Sequence, residues 1–343
     1  MNYKCDSVGI VGAGIQGVCI GLQLAKKKIP VTIFDKHDPG SMSSYGNAGH
    51  FSPYAVVQLN RPDVIFDVPK MLLSSYGPLA LKWNYIPKMI PWIFKYLKSS
   101  TKKNMLHTAK YMHQILDLSL DAYDEILSEI DTTNLVERKG IIYIWTNKNI
   151  KSREMEIKIR NDLGIKQRLL NREQVLELEP NLSPVFDAGV IYDYAYHARD
   201  PKEITKKLFE LFLKSGGQFK KEEVINVEQT RYNQTQVKTN SEKFKFEKIV
   251  LACGAFSKKL TDQLGEKIPL DTERGYHVHY KKMDHLLKRP VIFLDRGFGM
   301  TPMNQGLRAV GTVELGGFDN PISKKRIDYI DKCAKELLPQ LGD

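Results

Sequence analysis

Near the start of the chain, two short runs of apolar residues flank a stretch in which apolar residues recur at helical spacing. Residues 7–11 are Ser-Val-Gly-Ile-Val and residues 30–34 are Pro-Val-Thr-Ile-Phe, and each run has the length of a buried strand. Between them, Ile15, Val18 and Leu22 follow the spacing of one helix face. The pattern predicts a strand, a helix and a second strand, the unit from which parallel sheets are built.

Later patterns predict further strands and one long helix. Residues 248–255 form a near-continuous apolar run, typical of a central parallel strand with a ligand across its carboxyl end. Apolar residues at helical spacing from 104 to 130 predict one amphipathic helix whose apolar stripe packs in the core. Runs typical of a mixed sheet cover 140–145, 188–192, 272–280, 291–294 and 307–313. The predicted fold class is α/β, a Rossmann-like domain with an α+β insertion that carries a mixed sheet.

A glycine-rich turn stands between the first predicted strand and the helix. It is Gly12-Ala13-Gly14-Ile15-Gln16-Gly17, and the second predicted strand ends on Asp35. In such a turn the glycines allow a tight bend, close approach of a pyrophosphate and close helix packing, while the acid accepts hydrogen bonds from ribose. This complete context predicts dinucleotide binding, with a purely structural turn as the alternative. The acid favours a free 2′-hydroxyl, and therefore FAD or NAD over NADP.

The region after Asp35 favours FAD over NAD. An NAD dehydrogenase would continue strand, helix, strand through roughly the first 150 residues. Here a polar loop at 41–50 is followed by a long segment with no obvious strand, and the strand pattern returns only at 248–255. A dinucleotide fold interrupted by a large insertion is the layout of flavoproteins.

Several motifs together resemble a known family. They occupy 12–17, 43–53, 249–257, 273–277, 300–303 and 306–314. In this order they resemble the FAD-dependent D-amino acid oxidase and dehydrogenase (DAO) superfamily, and within it the bacterial D-amino acid dehydrogenases. The motifs are specific for the superfamily but not for a substrate.

The resemblance implies a set of FAD-binding residues. The loop from 43 to 49 is similar to the stretch that wraps the pyrophosphate and reaches the flavin ring, with an ordinary turn as the alternative. Val224 is similar to a strand residue whose backbone meets the adenine, although alone it would indicate a core valine. The implied site comprises Gly12, Ala13, Gly14, Ile15, Gln16, Gly17, Asp35, Lys36, Ser43, Ser44, Asn47, Ala48, Gly49, Val224, Ala252 and Gly254.

The resemblance also implies the chemistry. A flavin oxidises the CH–NH2 group of a D-amino acid, or a related imino acid, by hydride transfer to flavin N5, and the product is hydrolysed to an oxo acid and ammonia. The protein must hold the carboxylate with a cation and exclude water. The candidate catalytic residues are His50, Tyr54, Arg274, Tyr276 and His277. The alternatives are a salt bridge for Arg274, a packed aromatic ring for Tyr276 and structural roles for the histidines.

Two other functions stay open. A glycine or sarcosine type oxidase would pass its electrons to oxygen, and a remnant with part of the FAD site would be inactive. Similar proteins continue beyond Asp343 with a strand, a glycine-rich turn over the flavin and often an arginine that anchors the carboxylate. We therefore expect the chain to be a fragment that binds FAD weakly and turns over poorly.

The same resemblance gives the expected domains. The FAD-binding domain is expected at 1–60 plus 195–265, and the substrate domain at 61–194 plus 266–320. Residues 321–343 are expected to start a truncated C-terminal segment of the FAD domain.

The net charge of +11 is concentrated in one segment. Residues 68–116 hold eight lysines and no Asp or Glu, interleaved with Trp and Tyr. This composition is typical of a segment in an anionic membrane interface, and a quinone or another respiratory acceptor would give such contact a use. A solvated basic face is the alternative. We expect a cytoplasmic protein, peripheral on the inner face of the membrane, with a small amino acid as substrate.

The composition argues against other classes. The four cysteines, at 5, 19, 253 and 333, form no CxxC pair, so neither a metal site nor a disulfide framework is predicted. The 38 Lys and 13 Arg residues are an unfavourable balance for sequence-specific nucleic-acid binding, and no binding motif accompanies them. No run of 18 apolar residues and no signal-peptide pattern occurs.

Overall fold

Two compact units make up the chain in the computed structural model, which describes residues 7–58, 62, 79–147, 150–230 and 234–342. The first unit comprises Met1–Asn47, Ile126–Thr132 and Asp200–Asp271. The second unit comprises Ala48–Glu125, Thr133–Arg199 and Thr272–Asp343.

The elements are numbered along the described residues. The strands are β1 (Val8–Val11), β2 (Val31–Phe34), β3 (His50–Phe51), β4 (Leu79–Leu81), β5 (Val136–Glu137), β6 (Ile141–Trp145), β7 (Arg168–Asn171), β8 (Ala188–Tyr192), β9 (Tyr196–Ala198), β10 (Gln218–Lys220), β11 (Val224–Gln229), β12 (Thr235–Thr239), β13 (Lys243–Phe246), β14 (Lys248–Leu251), β15 (Arg274–Lys281), β16 (Val291–Phe293), β17 (Phe298–Met303) and β18 (Gly306–Leu315). The α-helices are α1 (Ile15–Lys26), α2 (Ser43–Gly46), α3 (Ile86–Ser99), α4 (Lys102–Leu116), α5 (Ser119–Leu127), α6 (Ile150–Asp162), α7 (Arg172–Leu178), α8 (Pro201–Lys214), α9 (Ser257–Gln263) and α10 (Lys324–Leu337).

The first unit is built around a four-stranded parallel sheet in the order β10–β2–β1–β14. In the centre of this sheet, Ile10 lies between Ile33 and Val250, and both isoleucines are fully buried, as in a sheet covered on both faces. Helices α1 and α8 pack against each other, and a three-stranded antiparallel sheet, β11–β12–β13, belongs to the same unit. These elements confirm the predicted strand, helix and strand. The run at 248–255 does form a parallel strand, β14, which ends at Leu251, but the prediction of a central strand is wrong for the described sheet, because β14 pairs only with β1 and lies at the edge.

The second unit contains an eight-stranded mixed sheet. Its main path is β15–β18–β17–β16–β6–β8–β7, and β4 pairs with β18. Helix α10 covers one face, where Ile330, Ala334 and Leu337 share a hydrophobic core with Leu307 and Ala309 of β18. All five predicted strand-rich runs lie in this sheet, which confirms the predicted α/β class with a mixed-sheet insertion. A small sheet, β3–β9–β5, also belongs to this unit.

The boundaries of the two units differ from the predicted domains. Residues 48–58 and 195–199 belong to the second unit rather than to the first, and residues 126–132 and 266–271 belong to the first. Residues 321–343 were expected to start a segment of the FAD domain, but they too belong to the second unit. The reason is that the apolar face of α10 is buried against β15 and β18.

The helix predicted over 104–130 is two helices. α4 ends at Leu116 and α5 begins at Ser119, whose hydroxyl donates a hydrogen bond to the Leu116 carbonyl. A hydroxyl bonded in this way competes with the backbone hydrogen bonds that would continue the helix. The prediction that the apolar stripe packs in the core is also wrong in part, because Leu106, Met112 and Ile115 are exposed.

Candidate functional site

A cavity of about 540 Å³ lies in the first unit, at the carboxyl ends of β1, β2 and β14. Val11, Phe34 and Ala252, at or directly after those ends, line it. Small-molecule sites commonly occupy about 300–1,000 Å³, and open parallel sheets bind ligands at the carboxyl ends of their strands. Position and size therefore identify this cavity as the candidate ligand site of the first unit.

The glycine-rich turn forms the floor of the cavity, and its backbone leaves no room for side chains at two positions. Gly12 has a φ of +112°, and a Cβ there would lie 2.5 Å from the Ala252 carbonyl oxygen. A Cβ on Gly17 would lie 1.9 Å from the Gly12 carbonyl oxygen. In both cases the obstacle is backbone, which cannot rotate away as a side chain could. At Gly14, the nearest obstacle is the Ser44 hydroxyl at 3.3 Å, so the backbone here stays open to a close ligand.

Asp35 ties the end of β2 to the glycine-rich turn. Its Oδ2 accepts a hydrogen bond from the Ala13 N–H at 2.8 Å, and its Oδ1 accepts one from the His37 N–H at 2.9 Å. On the other side of the turn, the Ile15 N–H donates to the Ser44 hydroxyl oxygen at 2.9 Å. Each carboxylate oxygen has more than one lone pair, so Asp35 can hold the turn and still accept a hydroxyl of a bound ribose.

Twelve of the sixteen predicted cofactor residues line the cavity. The other four do not line it. Ala13 and Gly17 are buried within the turn, where their small size allows close packing, and Ala48 and Gly49 belong to the second unit. The twelve are Gly12, Gly14, Ile15, Gln16, Asp35, Lys36, Ser43, Ser44, Asn47, Val224, Ala252 and Gly254.

Several charged and aromatic residues of the cavity were missed by the sequence prediction. They include Glu222, Glu223, Phe256 and Lys259. The Lys36 ammonium lies 2.8 Å from Glu223 Oε1 and holds the pKa of that carboxyl below its usual value. Phe256 and Lys259 follow β14, a predicted strand, so the rule that ligands sit at carboxyl ends could have found them, whereas the two glutamates follow β10, a strand that the sequence pattern did not predict.

In the second unit, His50 is held by a chain of hydrogen bonds. The Thr301 hydroxyl donates its hydrogen to the Ala48 carbonyl at 3.0 Å, so it accepts at its oxygen from His50 Nε2 at 2.8 Å. Burial, with a smaller effect from His197, lowers the pKa of His50 from 6.5 to about 3. His50 is therefore neutral near pH 7 with its proton on Nε2, and it cannot serve as the cation for a carboxylate. Nearby, the Gly49 carbonyl accepts from the Ala198 N–H.

Tyr54 is a core residue. Its side chain is fully buried, and its ring stacks on Tyr192 with centroids 3.6 Å apart. The Ser52 hydroxyl donates to its oxygen, and burial raises the pKa of Tyr54 well above 10. The prediction of Tyr54 as a catalytic residue is not supported by this position, because a stacked ring inside an apolar cluster has no room for a substrate.

Arg274 and Tyr276 hold a loop rather than an open pocket. The Arg274 guanidinium donates to the carbonyls of Asn320 at 2.6 Å and Phe318 at 3.0 Å. It also lies 3.6 Å from the buried carboxylate of Glu314, which accepts a hydrogen bond from the Tyr276 hydroxyl. These contacts match the structural alternatives to a catalytic role, which were a salt bridge for Arg274 and a packed aromatic ring for Tyr276. Both side chains therefore stabilise the fold here.

His277 belongs to a polar row on the sheet face opposite α10. Strand register pairs His279 with Arg308 and Arg308 with Thr301, so the side chains of these three residues share one face, and His277 lies on it two residues before His279. Arg308 is only 2% exposed. Burial and the charge of Arg308 lower the pKa of His277. We call His277, His279, Thr301 and Arg308 the polar row; the candidate residues of the sequence prediction did not include Arg308.

No group of three or more His, Cys, Asp or Glu side chains within the described ranges is placed to hold a metal ion. Burial raises the pKa of the Cys253 thiol, which lines the cavity of the first unit. The cavity of the first unit, with the open backbone at Gly14 and the Asp35 carboxylate, suits a phosphate-bearing ligand with a ribose.

Comparison with known proteins gives a consistent result. A protein-family model described as FAD dependent oxidoreductase (DAO) matches residues 7–343. A D-amino-acid oxidase of Bradyrhizobium diazoefficiens is 30% identical, and the match covers 97% of this chain and 80% of that protein. A D-amino acid dehydrogenase of Vibrio atlanticus is 25% identical over 97% of this chain and 82% of that protein. The crystal structure of glycine oxidase from Geobacillus kaustophilus is similar in fold, with a TM-score of 0.68, 20% identity and coverage of 98% of this chain and 79% of that one.

Proposed function

The chain belongs to the FAD dependent oxidoreductase (DAO) family, and from this premise we propose that it oxidises the CH–NH2 group of a D-amino acid. The amine loses a proton and a hydride, which carries two electrons to the flavin, and becomes an imino acid. Water then replaces the imine nitrogen to give an oxo acid and ammonia. The observation that carries the proposal is the cavity over the glycine-rich turn in a chain whose relatives are named D-amino-acid oxidase and D-amino acid dehydrogenase.

The residues of the cavity fit FAD, the cofactor of the family. The open backbone at Gly14, at the N-terminus of α1, suits the pyrophosphate, because N–H groups and the helix dipole favour an anion there. Asp35 would accept the ribose hydroxyls, and Val224 would lie near the adenine. When bound, FAD supplies the acceptor for the hydride.

We assign the carboxylate of the substrate to Arg308 in place of Arg274. Arg308 is buried, and a guanidinium can hold a carboxylate through two parallel hydrogen bonds. Arg308 shares a sheet face with Thr301 and the candidate residue His277, whereas Arg274 holds the loop after β18. The lowered pKa values of His50 and His277 favour their neutral forms, so neither of these two histidines would compete with Arg308 for the carboxylate.

The electron acceptor separates two versions of the proposal. The dehydrogenase version uses a quinone or another respiratory acceptor at the membrane, and the oxidase version uses oxygen and yields peroxide. The resemblance to bacterial D-amino acid dehydrogenases and the lysine-rich segment at 68–116 support the first. The 30% identity to a D-amino-acid oxidase supports the second as an alternative.

Steady-state assays of the purified protein with FAD test both versions. D-alanine, D-proline, glycine and sarcosine would be offered with a quinone analogue under argon, and separately with oxygen alone. We expect turnover of a D-amino acid with the quinone analogue, with ammonia formed in equal amount. Stoichiometric peroxide with oxygen would select the oxidase version. Release of no flavin on denaturation, together with no ammonia from any of the four substrates, would refute the proposed function.

A further inference from the structure

Helix α3 exposes an apolar face to solvent. Pro87, Ile90, Pro91, Phe94 and Leu97 recur at the spacing of one helix face. All five are exposed, and the Phe94 side chain is 70% exposed. We call these five residues the α3 ridge. A surface helix normally places such a stripe towards the core, so the ridge needs a separate explanation.

The core contacts of α3 are made by a different face. Met89 is buried, and Trp92 and Tyr96, both partly buried, stack on each other with ring centroids 4.9 Å apart. The helix is therefore apolar on two sides, one packed in the second unit and one exposed. Packing within the second unit explains why the side with Met89 is apolar. It does not explain the α3 ridge, which has no partner among the described residues 79–147 and 150–199.

Helix α4 repeats the arrangement. Met105 and Ala109 are buried, whereas Tyr111 and Ile115, with Met112 at the border of the buried face, form an exposed stripe, and Ile115 is 68% exposed. We call these three exposed residues the α4 ridge. The two ridges lie on helices joined by only two residues, 100 and 101.

The charge around the ridges has one sign. Residues 79–116 contain seven lysines and no Asp or Glu. Within the described ranges only Lys82 of these lysines pairs with an acid, Glu314, and six form no ion pair, namely Lys88, Lys95, Lys98, Lys102, Lys103 and Lys110. Apolar side chains bordered by lysines on a helix are the composition of a segment that lies in a membrane interface.

We propose that the α3 and α4 ridges dock on the surface of an anionic lipid bilayer, with Phe94 and Ile115 inserted below the headgroups and the lysines bound to lipid phosphates. A second copy of the chain is a poorer partner, because a symmetric dimer through this surface would place lysines against lysines with no acid to compensate. No helix of the described residues combines the length and apolar character needed to cross a bilayer, so the contact would be peripheral.

Vesicle co-sedimentation of the full chain with FAD tests the docking surface. The vesicles would be pure phosphatidylcholine or phosphatidylcholine with phosphatidylglycerol, each at low and high salt. We expect binding to the anionic vesicles that weakens as salt screens the charges, and little binding to the neutral ones. Bound flavin and thermal unfolding, measured on each variant, show separately whether the protein is intact.

Two sets of substitutions with matched controls locate the contact. Phe94→Glu combined with Ile115→Glu should lower partitioning by about tenfold or more, whereas Leu169→Glu, at an exposed leucine on β7, should not. Lys95→Gln, Lys98→Gln and Lys102→Gln together should lower it on the order of a hundredfold, at about fivefold for each lysine. The control is removal of the same charge at the exposed Lys243, Lys245 and Lys248 in the first unit.

Equal recovery with neutral and anionic vesicles would overturn the proposal. So would unchanged binding of the folded Phe94→Glu, Ile115→Glu protein, or a concentration-dependent dimer in the absence of lipid that the same pair of substitutions dissolves. These measurements require no turnover, so a failure of docking is distinguishable from a failure of the proposed amine oxidation.

Discussion

The assignment of Arg308 gives the sharpest test of the proposed substrate site. Arg308→Met removes the guanidinium and keeps an unbranched apolar chain, and Arg308→Lys keeps the charge but loses the planar pair of donors. A hydrogen bond to a charged group contributes about 1.5–3 kcal/mol. Loss of one such bond should therefore lower kcat/KM about 10- to 150-fold, and Arg308→Lys should recover part of that loss.

Arg274 provides the control. Its guanidinium lies 3.6 Å from Glu314, which is 2% exposed, and binds two carbonyls of the following loop. Arg274→Met leaves the buried carboxylate of Glu314 with Lys82, 3.4 Å away, and with the charge of the buried Arg326, so it should cost no more than about 3 kcal/mol of the free energy of unfolding. The KM of the folded fraction should stay within about threefold of the wild-type value, since no substrate contact is removed.

The assay combines kinetics with ligand binding. KM and kcat for a D-amino acid would be measured for each variant, together with the change in flavin absorbance on titration with acetate, a carboxylate without an amine. The reasoning is refuted if Arg308→Met binds acetate and substrate like the wild type while Arg274→Met loses both and still unfolds at the wild-type temperature.

Three further predictions concern single side chains. Gly17→Ala should abolish flavin binding and lower the unfolding temperature, because the new methyl would meet the Gly12 carbonyl at 1.9 Å; flavin fluorescence after gel filtration measures it. Tyr54→Phe should leave kcat and KM unchanged and cost about 2 kcal/mol of unfolding free energy in urea titrations, since the hydrogen bonds of its hydroxyl with Ser52 and Tyr143 are lost. His50→Gln should make the unfolding free energy less dependent on pH below about 6.5. Burial lowers the pKa of His50 to about 3 in the folded protein, whereas the unfolded chain takes up this proton near pH 6.5. As the pH decreases from about 6.5 to about 3, the free energy of unfolding therefore decreases by at most about 1.4 kcal/mol per pH unit. Urea titrations of both proteins at pH 7, 6 and 5 would expose the difference, and identical slopes would contradict it.

The cofactor cavity could be predicted because its determinants are local in sequence. Gly12, Gly14 and Gly17 lie within six residues, and the turn they form is fixed by contacts with neighbouring backbone. Asp35 follows at the end of the next strand, where its carboxylate is bonded to that same turn. Glu222 and Glu223 were missed because they follow β10, a three-residue strand whose place beside β2 depends on pairing between distant segments.

The proposed substrate residue, Arg308, was harder to predict because the long-range register of the strands decides which face of the sheet a side chain occupies. Along β18, Leu307 and Ala309 face α10 whereas Arg308 faces the other way, and the sequence pattern alone does not say which face carries a helix. At the start of β15, an irregularity in the register between Arg274 and Tyr276 brings both side chains to Glu314. Proximity to a motif therefore indicated Arg274, and the strand pairing is what leads us to propose Arg308 in its place.

The sequence pattern also does not show what a helix face contacts, and this is why the apolar stripe on α4 was assigned to the core. Helical periodicity shows which side chains share a face, but it does not show whether that face meets protein, lipid or water. On α4 the face that meets protein includes Met105 and Ala109, neither of which belongs to the predicted stripe. Ile115 then lies on a face with no protein to cover it among the described residues, in a stretch that carries lysines and no acids. An apolar face that the core does not use, surrounded by charge of one sign, is what an anionic bilayer can cover at least cost, because lipid tails take the apolar side chains while phosphates take the lysines.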